Sequence, residues 1–407
     1  MAGQTASDPV PGTLTGIALL LPITLSTMAI VLLAPILPQL LHEYRAIPGF
    51  EFWVPMILTV PALCVAFLSP IAGLLGDRFG RRRLLLAAFL LYAMTGVAPV
   101  FLTSLPAILV SRVGVGISEA LIMVLSTTLI GDYFTGAARD KWLAGQTAFA
   151  SMSALLFFNI GGQLGTFGWR MPFWVYTSAL LMFALVLRFT WEPKGDRSGS
   201  TAVAQAPVAP LEFPWRRMMT ILAITVYGSI FFYAVQIQAS SGLVHLGLTD
   251  PARIGLLTSI ASIGVPLGTF VYSRIGRWPI RRLLLIEFGL LAAGFATMGL
   301  ATGATSFLVG CFLNQVGAGL LLPTLLVWSM SLLSFEIRGR GAGMWQSAFA
   351  FGQFLSPVIV TLLARPAGGL MGAFLLLSVG ALLGAGIALV APFRRGAQPV
   401  EGMVVHG

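Results

Sequence analysis

The sequence predicts an all-α membrane protein with 12 transmembrane helices in two pseudo-symmetric six-helix bundles. Three observations predict it. The composition is too apolar for a water-soluble fold, twelve apolar stretches are each long enough to cross a bilayer, and short patterns recur between the two halves of the chain at nearly one offset.

Of 407 residues, 57% are hydrophobic and 9% charged, and the mean hydropathy is +0.91, so a soluble fold of this length could not hide its apolar surface. The apolar runs are long and continuous, which favours helices over the short alternating strands of a barrel. Forty-six glycines and 28 phenylalanines fit helices that approach closely with aromatic rings filling the gaps. A net charge of +10 would suit a nucleic-acid partner only if gathered on one aqueous face, whereas here the basic residues are scattered through short loops. No nucleic-acid partner is expected. The N-terminus, MAGQTASDPV, carries no cation before the first apolar stretch, unlike a cleaved signal peptide, so the first span is expected to remain in the mature protein.

In chain order the first six spans are expected near 14–37, 52–75, 84–103, 106–131, 142–165 and 171–190. The second six fall near 217–240, 252–273, 283–303, 306–333, 341–364 and 368–392. Prolines 22, 35, 61, 70, 266, 323 and 357 interrupt them, which membrane helices tolerate where neighbours satisfy the freed backbone groups. Nineteen Lys and Arg fall on one side of this arrangement, only Arg45, Arg170, Arg253 and Arg365 on the other, and Arg112 within a span. That asymmetry places both termini in the cytoplasm. The segment from Trp191 to Trp215 is rich in Ser, Ala, Pro and Gly and reads as a flexible linker. The expected organisation is an N-terminal bundle (1–192), a cytoplasmic linker (193–214), a C-terminal bundle (215–393) and a cytoplasmic tail (394–407).

The halves resemble one another. Ser111-Arg112-Val113-Gly114-Val115-Gly116 corresponds to Asn314-Gln315-Val316-Gly317-Ala318-Gly319, and Gln146-Thr147-Ala148-Phe149-Ala150 to Gln346-Ser347-Ala348-Phe349-Ala350. Arg78-Phe79-Gly80-Arg81 matches Arg274-Ile275-Gly276-Arg277. Ordered matches of this kind support two similar halves related by an axis along the membrane normal, as expected of a rocking transporter.

Between the second and third spans runs Gly73-Leu74-Leu75-Gly76-Asp77-Arg78-Phe79-Gly80-Arg81-Arg82-Arg83. Glycine suits a tight turn between antiparallel helices, and the arginines suit the anionic leaflet. This stretch resembles the cytoplasmic signature of the major facilitator superfamily, and with the spans, linker and repeat the resemblance covers nearly the whole chain. It implies that Gly73, Asp77, Arg78, Gly80 and Arg81 form a conformational latch. Asp77 would contact the start of the eleventh helix near Gly341 in the outward-open state, and Arg81 would pair with Asp132. The second copy has Ser273 in place of Asp77, so the latch is asymmetric.

Arg112 and Glu119 are the clearest ionisable residues within an apolar span. Each would cost at least ~2.5 kcal/mol facing lipid, so both should face a cavity or the bundle interior. Seven residues put them on one helix face, roughly 10 Å apart along its axis, too far for a direct pair. A carboxyl held away from water can take up and release a proton as its access to water changes. Arg112 keeps its charge and can tune that carboxyl or hold an anion. Arg112 with Gly114 and Gly116 resembles the family's fourth-span motif, which implies a part in proton coupling for Arg112 beside Glu119. A fixed ion pair that only holds the first bundle together is the competing structural explanation.

The fifth span has Gly161-Gly162 but lacks the Gly-Pro step usual in the family's drug and proton antiporters, with Asn159 and Gln163 offering polar groups nearby. Tyr233, Gln236, Asn314, Gln315, Trp328 and Gln346 complete the candidate lining of a substrate cavity, although hydrogen bonding between helices explains such residues singly just as well. Glu287 is expected about one turn inside the ninth span, snorkelling to Arg281 or Arg282. No Walker-type phosphate loop, nucleophile–base pair or metal-ligand spacing occurs, so neither an enzyme activity nor a cofactor or metal is expected. Cys64 and Cys311 read as buried free thiols.

These readings imply a monomer in a bacterial inner membrane that exports a small, largely apolar organic compound by alternating access, coupled to protons. Proton-linked uptake or facilitated diffusion of an organic anion held by Arg112 is the alternative. A sensor on a transporter fold that moves nothing is a remote third.

Overall fold

The computed structural model describes residues 11–192, 213–333 and 338–390. The expected linker and tail, at 193–214 and 394–407, lie outside the described residues except for Phe213 and Pro214. Among the described residues the chain is helical and forms no strand, and twelve helices are long and apolar enough to cross a membrane. The first six spans are Thr13–Glu43, Phe50–Phe79, Arg81–Val100, Leu105–Tyr133, Gly136–Gly165 and Met171–Phe189. The second six are Trp215–His245, Pro251–Ile275, Ile280–Gly299, Ala304–Ser331, Gly341–Ala364 and Leu370–Val390.

Local chemistry sets several boundaries. Pro106 occupies the first turn of the fourth span, where its missing N–H is no loss. Asp250 caps the eighth, its carboxylate accepting from Ala252 N at 3.0 Å. The turn between the second and third spans needs Gly80, at φ +92°. The first span is interrupted near Pro22 and again around Pro35, where a single tight turn separates helical pieces. Within the tenth, Pro323 removes the donor that would meet Gly319 O, and the Thr269 hydroxyl lies 3.1 Å from that oxygen and equally far from Val265 O, so its one hydrogen serves the two in turn.

Two large apolar clusters form, one from residues between Ala18 and Val186 joined by Ile237, the other from residues between Ile221 and Ala388. Leu181, Leu383, Ile387 and Val390 instead point outward, as a lipid-facing surface requires. Between the first and second six spans, the second packs on the eleventh and the fifth on the eighth. Contacts concentrate at the end away from Asp77. There Ser240 Oγ donates to Ala34 O at 2.6 Å, Ser259 Oγ to Leu155 O at 2.9 Å, and Arg365 approaches Glu51 at 3.9 Å. Gly162 and Gly255 meet backbone to backbone, and a Cβ on Gly162 would sit 2.9 Å from Gly255 Cα. The Asp77 end instead holds a cavity of about 1400 Å³, walled by Phe67, Met123, Met219, Ala223, Met344 and Phe351. Among the described residues the helices are closed at one end and open at the other.

Candidate functional site

Above that opening lies a second, smaller cavity of about 230 Å³ among the first, second, fourth, fifth, seventh, eighth, tenth and eleventh spans. Its wall is mostly apolar, with Glu119, Tyr233, Gln236, Gln346 and Gln353 as the larger polar residues. Met123 and Gln346 line both cavities, so they mark where one meets the other. Glu119 is 5% exposed, and its Oε2 has no hydrogen-bond partner. A lone carboxyl in an apolar chamber is costly when charged unless a ligand, water or proton answers it. Aromatic rings gather on the opposite wall, with Tyr233 and Phe349 centroids 5.3 Å apart.

Arg112 stands on the same helix but outside both cavities. It is fully buried within the first six spans, donating through Nε to Ile57 O at 3.1 Å and through Nη2 to the Tyr176 hydroxyl at 2.6 Å. Its guanidinium also lies 4.8 Å from the Tyr176 ring centre, and Tyr176 stacks on Tyr92 at 5.3 Å. No ion pair joins it to Glu119 among the described contacts, in line with the spacing along the helix.

The remaining expected cavity residues divide by rotation about their helix axes. Gln236 donates to Gln315 Oε1 at 2.5 Å, and Gln315 donates to Asn314 Oδ1 at 3.3 Å, so the last two stand behind the wall. Trp328 is buried in the second apolar cluster. Asn159 turns its amide back to Leu155 O at 3.2 Å, and Gln163 is exposed near the closed end. None of these five lines either cavity. Ser26, Thr27, Ser151 and Ser262, small hydroxyl residues, also stand on the wall and are not among the expected ones. Short polar side chains in an apolar run carry a weak signal, because they also bond to their own helix.

Glu287 corrects the sequence reading. It does not snorkel toward Arg281 or Arg282: it is 0% exposed, with Oε1 2.5 Å from the Thr324 hydroxyl. Its helix begins at Ile280, which places it two turns inside, beyond reach of the exposed arginines.

At the open end Arg81 Nε and Nη2 donate to Asp77 Oδ1 at 3.0 and 2.7 Å, while Nη1 bonds Asp132. Arg78 packs over Phe79 at 5.5 Å, and the nearest neighbour a Cβ on Gly73 would meet is Val124. The contacts described for Asp77 run to Arg81 and not to Gly341, which lies beside Leu333 and Met218. Glu192 draws the end of the sixth span onto the same loop, accepting from Arg82 N and Arg83 N at 3.3 Å each. Asp77 is 58% exposed, so Asp77→Asn is expected to change thermal stability in detergent by no more than about 1 kcal/mol. A larger loss would mean that this network carries folding energy.

Residues 19–357 match the family model described as Major Facilitator Superfamily. The chain is 24% identical over 360 residues to "Multidrug resistance protein 2" of Bacillus subtilis (strain 168), covering 84% of this chain and 87% of that one. It is 25% identical over 335 residues to the "3-(3-hydroxy-phenyl)propionate transporter" of Escherichia coli (strain K12), covering 78% and 79%. Its fold superposes on the crystal structure of a D-xylose-proton symporter with TM-score 0.79 at 16% identity, covering 95% of this chain and 98% of that one.

Proposed function

Because the chain belongs to the major facilitator superfamily of membrane transporters, we propose that it couples proton movement to export of a small, largely apolar organic compound. The observation that carries this reading is Glu119, a single carboxyl with an unanswered oxygen in the wall of a mostly apolar central cavity. Such a group can hold either a proton or an interaction with the cargo, and exchange between the two couples their movements. By the positive-inside rule the arginine-rich end would face the cytoplasm, which would make this conformation the cytoplasm-open one, and the transporter would work as a monomer. Bundles at 1–192 and 215–393, joined by the 193–214 linker, would rock about the cavity.

The similarity to a multidrug resistance protein supports export, and the similarity to a 3-(3-hydroxy-phenyl)propionate transporter supports uptake of an aromatic anion. Geometry favours the first. A bound anion would need a cation in the wall, and Arg112 is turned away into the first six spans. The test is accumulation in right-side-out and everted vesicles under an imposed pH gradient, with a panel of neutral aromatic compounds and 3-(3-hydroxyphenyl)propionate. Gradient-driven uptake of the neutral compounds into everted vesicles is expected. Transport of the anion alone into right-side-out vesicles would overturn the export reading.

A further inference from the structure

Glu287 is enclosed where the ninth span packs on the tenth, outside both cavities. The carboxyl is fully enclosed, with Oε1 2.5 Å from the Thr324 hydroxyl and Oε2 without a partner. Thr324 Oγ1 is also 2.9 Å from Leu320 O, and a hydroxyl has one hydrogen to give. If that hydrogen goes to the Leu320 carbonyl, as it commonly does in helices, the short approach to Glu287 requires a hydrogen from the carboxyl. If it goes to Glu287, a charged carboxylate is left with one donor in a dry site, which is inadequate compensation. Both arrangements favour the neutral acid.

No neighbouring charge reverses that preference. The tenth and twelfth spans contain no Asp, Glu, Lys, Arg or His, and Cys311 is the tenth span's one titratable side chain. Arg281 and Arg282 on the ninth span and Arg253 and Arg274 on the eighth are exposed near helix ends. The Tyr227 ring of the seventh span packs 5.8 Å from Phe288, but its hydroxyl donates to Gly380 O.

The position along the tenth span matters as well. Thr324 follows Pro323, where the helix has lost a backbone bond, and Leu322 lines the central cavity. Two residues turn a helix by about 200°, so Glu287 grips the tenth span on the face away from the cavity at its weakest point.

The geometry points to a second proton-binding site: Glu287 carries a proton in this conformation, shares it with Thr324, and releases it to water only when the ninth and tenth spans part beside Pro323. The dissociation leaves a carboxylate that needs water as donor, so proton occupancy at Glu287 and the shape of the cavity wall at Leu322 are linked. This inference is independent of the role given to Glu119.

Infrared spectroscopy of the full chain in lipid tests it, with Glu119→Gln as background to remove the cavity carboxyl. At neutral pH a carboxylic-acid C=O band is expected that shifts in heavy water, is missing from the E119Q/E287Q double variant, and moves to higher frequency with Thr324→Val. A spin label at Leu322→Cys reports the linkage, its line shape changing with pH in E119Q and not in E119Q/E287Q. Absence of an acid band assignable to Glu287 overturns the protonated site. A band present with a pH-independent line shape at position 322 overturns the linkage.

Discussion

Glu119→Gln is expected to reduce pH-gradient-driven transport to the level of protein-free vesicles. The amide keeps the size and most of the hydrogen-bonding capacity of the carboxyl but can neither gain nor lose a charge. Since Glu119 Oε2 has no partner to lose, apparent stability should change by no more than ~1 kcal/mol. Flux and melting temperature of the same preparation therefore separate a coupling role from a structural one. Residual gradient-driven flux near that of the unmodified protein would remove Glu119 from the mechanism. A fall in stability matching the fall in flux would return it to the role of a strut.

The second large effect is expected at the closed end. A Cβ on Gly162 would lie 2.5 Å from Pro251 O and 2.9 Å from Gly255 Cα, and one on Gly255 would meet Phe158 O. These atoms are backbone and cannot swing aside, so Gly162→Leu must push the fifth and eighth spans apart. Overpacking of this kind costs about 1–3 kcal/mol, enough to shift a two-state equilibrium by roughly 5- to 150-fold. The cost falls only on the state in which this end is closed. The variant is expected to favour the opposite state and to transport slowly. An impermeant thiol reagent applied from the arginine-rich side should then label Ala223→Cys, in the wall of the large cavity, more slowly than in the parent. Unchanged labelling would show that this glycine contact does not hold the closed end together.

The spans were legible to within a few residues because the bilayer imposes one length and one polarity on each of them. The eleventh, expected at 341–364, is found at Gly341–Ala364. Departures occur where helices run on past the apolar core: the first reaches Glu43 and the seventh His245, residues that an apolarity criterion trims. Glu119 and Arg112 were legible as inward-facing for a related reason, since lipid excludes charge. Their separation was legible too, but their different surroundings were not.

Hydropathy contains almost no information about how a membrane helix is rotated, because lipid and protein neighbours are both apolar and a span can be hydrophobic all round. Asn314 and Gln315 therefore looked as suitable for the cavity as Gln236, and only packing set them behind it. The same blindness put Glu287 at a helix end with arginine, when close packing of the ninth and tenth spans encloses it against Thr324.

Amino-acid order alone determined that this chain lives in lipid, crosses it twelve times and carries a repeated, family-typical pattern, because solvent polarity acts on each segment separately. Which end is closed, which carboxyl meets the cavity and which is sealed between helices were decided only by tertiary structure. Those properties depend on helix rotation and on backbone contacts such as Gly162 against Gly255, which join residues far apart in the chain.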